Sequence, residues 1–142
     1  AEAARRAGAT RFVKLSAFGA DIAPQFYIAR SHRESEEAIE ATGLAYTHLR
    51  PNVFMQNLIN YYGQAIKSDG RFYLAQGEGK VSFIDVRDVA AVAADALMYG
   101  GHEGMAYTLT GSEALSYYEV AEILSRAAGK KIENDCIPYK PR

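Results

Sequence analysis

Residues 11–49 read RFVKLSAFGADIAPQFYIARSHRESEEAIEATGLAYTHL, and this stretch decides the fold. Arg11-Phe-Val-Lys-Leu-Ser16 is a short β-rich run of the kind found in a buried central strand. A loop from Ala17 to Phe26 follows, punctuated by Gly19, Asp21 and Pro24. From about Ile28 to Thr42 the spacing predicts a helix closed by Gly43. Ile28, His32, Ser35 and Ile39 recur at intervals of four, three and four, so they share one face. Arg30, Arg33, Glu34, Glu37 and Glu40 fall largely on the other side. Leu44-Ala-Tyr-Thr-His-Leu49 is a second strand, stopped by Arg50-Pro51. Strand, helix, strand implies parallel strands joined by a right-handed crossover. The carboxyl ends of both strands, near Ser16–Phe18 and Arg50–Phe54, must then lie along one edge of the sheet. In open α/β sheets that edge is where ligands bind.

Outward from this unit, residues 1–8 (AEAARRAG) read as the end of a helix running into a turn at Gly8, and the chain stops at Pro141-Arg142 just after a strand-like segment. Both ends therefore read as cut. Val53 to Ile66 has a helical pattern, and 71–75 and 80–84 flank the glycine turn Gln76-Gly-Glu-Gly79 as a hairpin would. Asp85-Val-Arg-Asp88 opens a helix to about Met98. Its apolar residues Val86, Val89, Val92, Ala93, Ala96 and Leu97 cover most of the circumference, the pattern of a helix wedged between layers. Met105 to Thr110 is a strand, Ser116-Tyr-Tyr-Glu119 a capping box heading a helix to Ala128 and Gly129, and Lys131 to Ile137 a last strand.

Composition narrows the function classes. The 142 residues are 49% hydrophobic and 23% charged, as in soluble globular proteins. A net charge of −1 gives no electrostatic reason to expect nucleic acid or a membrane surface. The single cysteine, Cys136, precludes an internal disulfide and reads as an ordinary core thiol. No apolar run approaches the ~18–20 residues that span a bilayer, and no signal-peptide pattern opens the chain, so a cytoplasmic protein is expected. No metal centre is expected: His48 and His102 lack partners at ligand spacing, and the pair Asp85 and Asp88 at a helix start reads as capping. The tyrosines at 61, 62, 117 and 118 read as packing, because no basic groove accompanies them.

Three segments, in register and in order, carry a family resemblance. TGLAYTHLRPNVFMQN (42–57) resembles the GxxYTxLRPxxFMxN segment of NmrA-like proteins. SFIDVRDVA (82–90) is similar to a segment shared with extended short-chain dehydrogenases, and RFVKLS (11–16) to the fifth Rossmann strand of both. The resemblance implies an α/β protein: the C-terminal half of a Rossmann-type parallel sheet with a small α+β substrate-binding lobe. It assigns 1–56 and 79–100 to the dinucleotide-binding part, and 57–78 and 101–142 to the lobe. It also implies NADP or NAD as cofactor, a small-molecule acceptor such as a quinone, hydride transfer as the chemistry, and it admits a homodimer. A rival reading, for which NmrA itself is the pattern, is a non-catalytic NAD(P)-sensing regulator acting through a protein partner. Family members begin with a strand, a glycine-rich turn and a helix that holds the pyrophosphate. Here Gly77-x-Gly79 sits in the predicted turn and Gly101-x-x-Gly104 precedes a strand, so neither supplies that element.

The resemblance also names site residues. In the isoflavone-reductase branch a catalytic lysine lies eleven positions before the glycine ending this helix, which here is His32, counted back from Gly43. Histidine exchanges a proton near neutral pH without unusual tuning; the alternative is a histidine that only anchors the helix. The usual Tyr/Lys pair is absent, since Tyr27 is followed four residues later by Ser31. Ser16, Ala17 and Phe18 are expected beside the nicotinamide ribose, and Pro51, Asn52, Val53 and Phe54 at the carboxamide. Asn57 and Tyr61, with Phe54, follow at helical spacing as walls of the acceptor pocket. A strand-ending turn and ordinary packing are the plainer readings of these residues.

Overall fold

The computed structural model describes residues 1–23 and 25–137; Pro24 and the terminal Pro141-Arg142, which entered the sequence reading, lie outside them. The elements run α1 (Glu2–Arg6), β1 (Arg11–Leu15), α2 (Tyr27–Glu40), β2 (Ala45–Pro51), α3 (Gln56–Asp69) and β3 (Arg71–Leu74). Then come β4 (Lys80–Val81), α4 (Val86–Met98), β5 (Met105–Leu109), β6 (Leu115–Ser116), α5 (Tyr117–Ala128) and β7 (Glu133–Cys136). The chain divides into two units, Ala1–Asn52 with Ile84–Thr110, and Val53–Phe83 with Gly111–Arg142.

The first unit holds the βαβ arrangement. β1 and β2 pair in parallel, Arg11 opposite Ala45 and Leu15 opposite Leu49. β2 continues through Arg50 and Pro51, which the sequence reading took as its stop. Proline fits there because it ends the strand and needs no further ladder donor. β5 joins the other side of β2, Thr47 opposite Met105, giving a parallel sheet of order β1-β2-β5. Met105–Leu109 therefore belongs with the first unit's sheet, whereas the sequence division placed it in the second lobe.

Helix α2 turns a different face to the sheet from the one its apolar spacing suggests. Ala29, Glu36 and Ile39 are its buried residues, while Ile28 is 67% exposed and Ser35 lies in solvent. The reason is chemical: the sheet answers with Ser16, His48 and Arg50, so a carboxylate at 36 is satisfied on the buried side and the apolar stripe need not be continuous. Helix α4 likewise buries one side only. Val89 and Ala96 are covered, and Leu97 and Met98 are exposed, so it is not wedged between two layers within this chain.

In the second unit, the expected hairpin of 71–75 with 80–84 does not form. β3 pairs in parallel with β7, Phe72 opposite Asn134, and β4 pairs antiparallel with β6. Gly79 N–H does close a tight turn onto the Gln76 carbonyl at 3.0 Å. Strand choice is governed instead by burial: Phe72 and Phe83 both enter one core with Tyr117, Val120, Ala121 and Ile132, under α5. Phe72 is fully buried, with the rings of Tyr62 and Tyr117 at 5.7 and 6.3 Å. Cys136 ends β7 exposed, so it is not the core thiol expected.

Helix α5 is capped as read. The Ser116 hydroxyl accepts from Glu119 N–H at 3.2 Å, and the Glu119 carboxylate accepts from Ser116 N–H at 2.6 Å. Gly129, at φ 63°, closes the helix in the left-handed region. Ser116→Ala should cost about 1 kcal/mol in urea denaturation. An unchanged midpoint would mean that the box contributes nothing to this unit.

Candidate active site

Hydrogen bonds continue past the formal strand ends, and they define the rim. Ser16 N–H donates to the Leu49 carbonyl at 2.7 Å, Phe18 N–H to the Pro51 carbonyl at 2.9 Å, and Asn52 N–H to the Leu109 carbonyl at 2.9 Å. The parallel sheet thus delivers Ser16–Phe18 and Pro51–Asn52 side by side at its carboxyl edge. Gly19, at φ 80°, then turns the chain so that Ile22 and Ala23 N–H groups bond back to its carbonyl.

Exposure separates the rim residues. Ser16 is 4% exposed and its hydroxyl donates to Glu36 Oε1 at 2.5 Å, whereas Phe18 is 48% exposed. Of the residues expected at the carboxamide, Pro51 already accepts from Phe18 N–H through its carbonyl, and Asn52 donates its N–H to the Leu109 carbonyl. Val53, Phe54, Asn57 and Tyr61 belong to the second unit. Val53 packs against the Phe72 core, Phe54 and Asn57 are partly buried, and Tyr61 is 73% exposed, edge-on to Tyr62. Between α3 and α5 runs an apolar cavity of about 330 Å³ lined by Leu58, Ile59, Ile66, Leu124 and Ile132 among others; neither Asn57 nor Tyr61 lines it.

Beneath the rim lies a polar layer that the sequence reading missed. Glu36, with 0% exposure, is gripped by Arg50 through Nε at 3.0 Å and a terminal nitrogen at 2.7 Å. Arg33 adds a third guanidinium bond at 3.1 Å. The second terminal nitrogen of Arg50 lies 2.5 Å from Asp21, tying the loop after β1 into the same layer. Arg33 also reaches Glu37 and Glu40, and Glu40 meets His48 Nε2 at 3.3 Å. Burial acts to raise the Glu36 pKa, but the hydrogen bonds from Arg50, Ser16 and Arg33 outweigh it and hold the carboxyl at about 2. Desolvation, against the pull of Glu36 and Glu40, lowers the pKa of His48, which is stacked on Tyr46 at 4.6 Å.

Two signals for this layer were in the sequence. His48 and Arg50, two residues apart, face the same side of a strand whose sheet must be covered. A buried guanidinium on that side requires an anion from α2, and Glu36 lies three residues before Ile39 on the same face. Among the described residues Glu36, Glu40 and His48 are the group with metal-ligand geometry. Arg33 and Arg50 already neutralise its carboxylates, so a metal ion would have to displace a guanidinium.

His32 is partly buried, and its Nδ1 stands 3.1 Å from Lys14 Nζ. Desolvation and then the Lys14 charge lower its pKa, against the pull of Glu36. It is thus tuned towards the neutral form, not left at the ordinary value that the sequence reading took. Lys14 is also lowered by desolvation, with Glu36 opposing.

This geometry has known counterparts. The chain is 47% identical over 130 residues to an NAD(P)H azoreductase of Xenophilus azovorans, covering 92% of this chain and 45% of the relative. It is 32% identical to quinone oxidoreductase 2 of Escherichia coli, covering 92% and 45%. Among solved structures, an NADPH-dependent quinone oxidoreductase of Escherichia coli, complexed with NADPH, superposes with a TM-score of 0.84 at 31% identity, covering 96% of this chain and 47% of that one. A triphenylmethane reductase of Citrobacter sp., complexed with NADP(H), gives a TM-score of 0.85 at 28% identity, covering 96% and 48%. The chain spans just under half the length of these relatives. No helix among the described residues is long and apolar enough to cross a membrane. The parallel strands ending at one rim are thus those of a Rossmann-type sheet, and since the NmrA-like profile matches residues 1–141, the chain belongs to the NmrA-like family.

Proposed function

We propose that this chain forms the C-terminal half of an NAD(P)H-dependent oxidoreductase that reduces a quinone or a similar flat carbonyl compound. The observation that carries the reading is the common rim of β1 and β2, where Phe18 N–H meets the Pro51 carbonyl at 2.9 Å. The names of the relatives point the same way.

The rim residues fit the nicotinamide end of the cofactor and not its phosphates. Phe18 offers a half-exposed aromatic surface for a flat ring. The guanidinium nearby, Arg50, is committed to Glu36 and Asp21 and so is not left to meet a pyrophosphate. A reduced nicotinamide bound at this rim would supply a hydride. Ala17 and Phe18 would hold the ring from the β1 side, with Pro51 and Asn52 on the carboxamide side. Ser16, buried on Glu36, sets the position of its neighbours without touching the ligand. His32 would donate a hydrogen bond to the acceptor oxygen as charge develops on it.

The test expresses the intact protein and follows NADH and NADPH oxidation with a simple naphthoquinone. Turnover is expected, and His32→Ala should lower kcat roughly 100-fold, the order lost with one donor to a developing oxyanion. Tight NAD(P)H binding with no turnover on any acceptor would overturn the enzyme in favour of a dinucleotide sensor.

A further inference from the structure

Lys14 and Ser16 stand two residues apart on β1 and therefore face the same side, towards α2. Both are met by residues one helical turn apart: Lys14 by His32 at 3.1 Å, and Ser16 by Glu36 at 2.5 Å. An ammonium group has donors and no acceptor, so His32 Nδ1 must accept in this contact. The ring proton of the neutral imidazole is then left on Nε2. Among the described residues Nε2 has no hydrogen-bond partner, so none of them consumes the donor that Lys14 creates.

The imidazolium form fits this setting badly. It would carry protons on both nitrogens, losing the bond at Nδ1, and it would place a second positive charge against Lys14. Glu36 is the group that would favour it, and Arg50 and Arg33 already neutralise that carboxylate. His48 and Arg50 from β2, Arg33, Glu37 and Glu40 on α2, and Asp21 in the loop after β1 complete the charged groups of this layer among the described residues.

We infer that Lys14 is a positioning residue, which fixes His32 as a neutral imidazole protonated on Nε2 so that it serves as a hydrogen-bond donor. The inference rests on the role given to His32 above and narrows the acceptor class. A neutral donor of this kind helps a substrate whose oxygen gains negative charge as hydride arrives, as a quinone carbonyl does. Protonation of the reduced product is left to solvent.

The experiment labels the histidines of the intact protein with nitrogen-15 and compares the wild type with Lys14→Met and Lys14→Arg. Imidazole shifts report the tautomer, and kcat and KM are measured with NADPH and a naphthoquinone. In the wild type His32 should be protonated on Nε2 alone across roughly pH 6 to 8, where an ordinary histidine titrates. Lys14→Met should mix the tautomers, raise the pH at which His32 charges, and lower kcat about tenfold with KM for NADPH unchanged. Lys14→Arg should restore most of the rate. A wild-type His32 protonated on Nδ1, or charged at neutral pH, overturns the inference, and this reading stands even where Lys14→Met folds poorly. Should the tautomer behave as expected while His32→Ala keeps full turnover, the catalytic role of His32 fails and Lys14 orders only a structural side chain. Absence of all turnover would sink the oxidoreductase reading, while the nitrogen shifts still decide whether Lys14 sets the ring.

Discussion

Glu36→Ala should destabilise the chain by about 3–5 kcal/mol, the range found when one partner of a buried ion pair is removed. The carboxylate is fully buried and is the meeting point of Arg50, Arg33 and Ser16. Deleting it strands the Arg50 guanidinium, itself 7% exposed, with only Asp21 at the surface to compensate. Urea denaturation followed by circular dichroism reads the effect directly. A loss below about 1 kcal/mol, the worth of an exposed pair, would show that water reaches the layer. The double replacement Glu36→Leu with Arg50→Met should recover much of the loss, since apolar residues of similar volume can substitute for a buried pair.

The same carboxylate makes stability pH-dependent in a defined window. Its pKa falls from the ordinary 4.5 to about 2 on folding, so the unfolded chain binds the proton more readily. The stabilisation is complete above about 4.5 and is lost as the pH falls towards 2. Glu36→Gln should lack this acid-dependent slope. An acid titration of stability with the same slope in both proteins would mean that other carboxylates carry it.

The second large effect concerns the dinucleotide. Calorimetry on the 142-residue polypeptide should give at least a 100-fold weaker affinity for NADPH than the intact protein, with cooperative unfolding as the check that the polypeptide is folded. Phosphate binding needs a helix N-terminus behind a glycine-rich turn, or free cations at the rim. The described residues supply neither there: Gly77 and Gly79 serve a turn, Gly101 and Gly104 lead into β5, and Arg50 is fully engaged. In the reading proposed above, the rim meets the nicotinamide end alone. Micromolar binding by the polypeptide would mean that these residues hold phosphate in some other way.

What could be read from the sequence depended on how local the cause was. The βαβ unit came from Arg11–Ser16, Gly43 and the run Leu44–Leu49, because periodicity and a terminating glycine are local signals. The Ser116/Glu119 capping box is equally local. The pairing of β3 with β7 was hidden, since about sixty residues separate the partners and what joins them, the burial of Phe72 and the ion pairs of Arg71 with Glu133 and Asp135, is long-range. The face of α2 was misjudged for a related reason: polarity implied that Glu36 belongs in water, and its partners Arg50 and Ser16 come from two different strands. Lys14 went unnoticed because a lysine in a strand is ordinarily a solvent-facing edge residue, and here it spans to His32.

Strand β1 borders its sheet, pairing on one flank with β2 and with no other strand among the described residues. Its outer main-chain amides and carbonyls are therefore a template for any extended segment, including the same strand of a neighbouring molecule. Leu15, 53% exposed at that margin, adds an adhesive side chain. At high concentration the polypeptide is expected to self-associate along that margin, and an extended peptide paired there would suppress the aggregation.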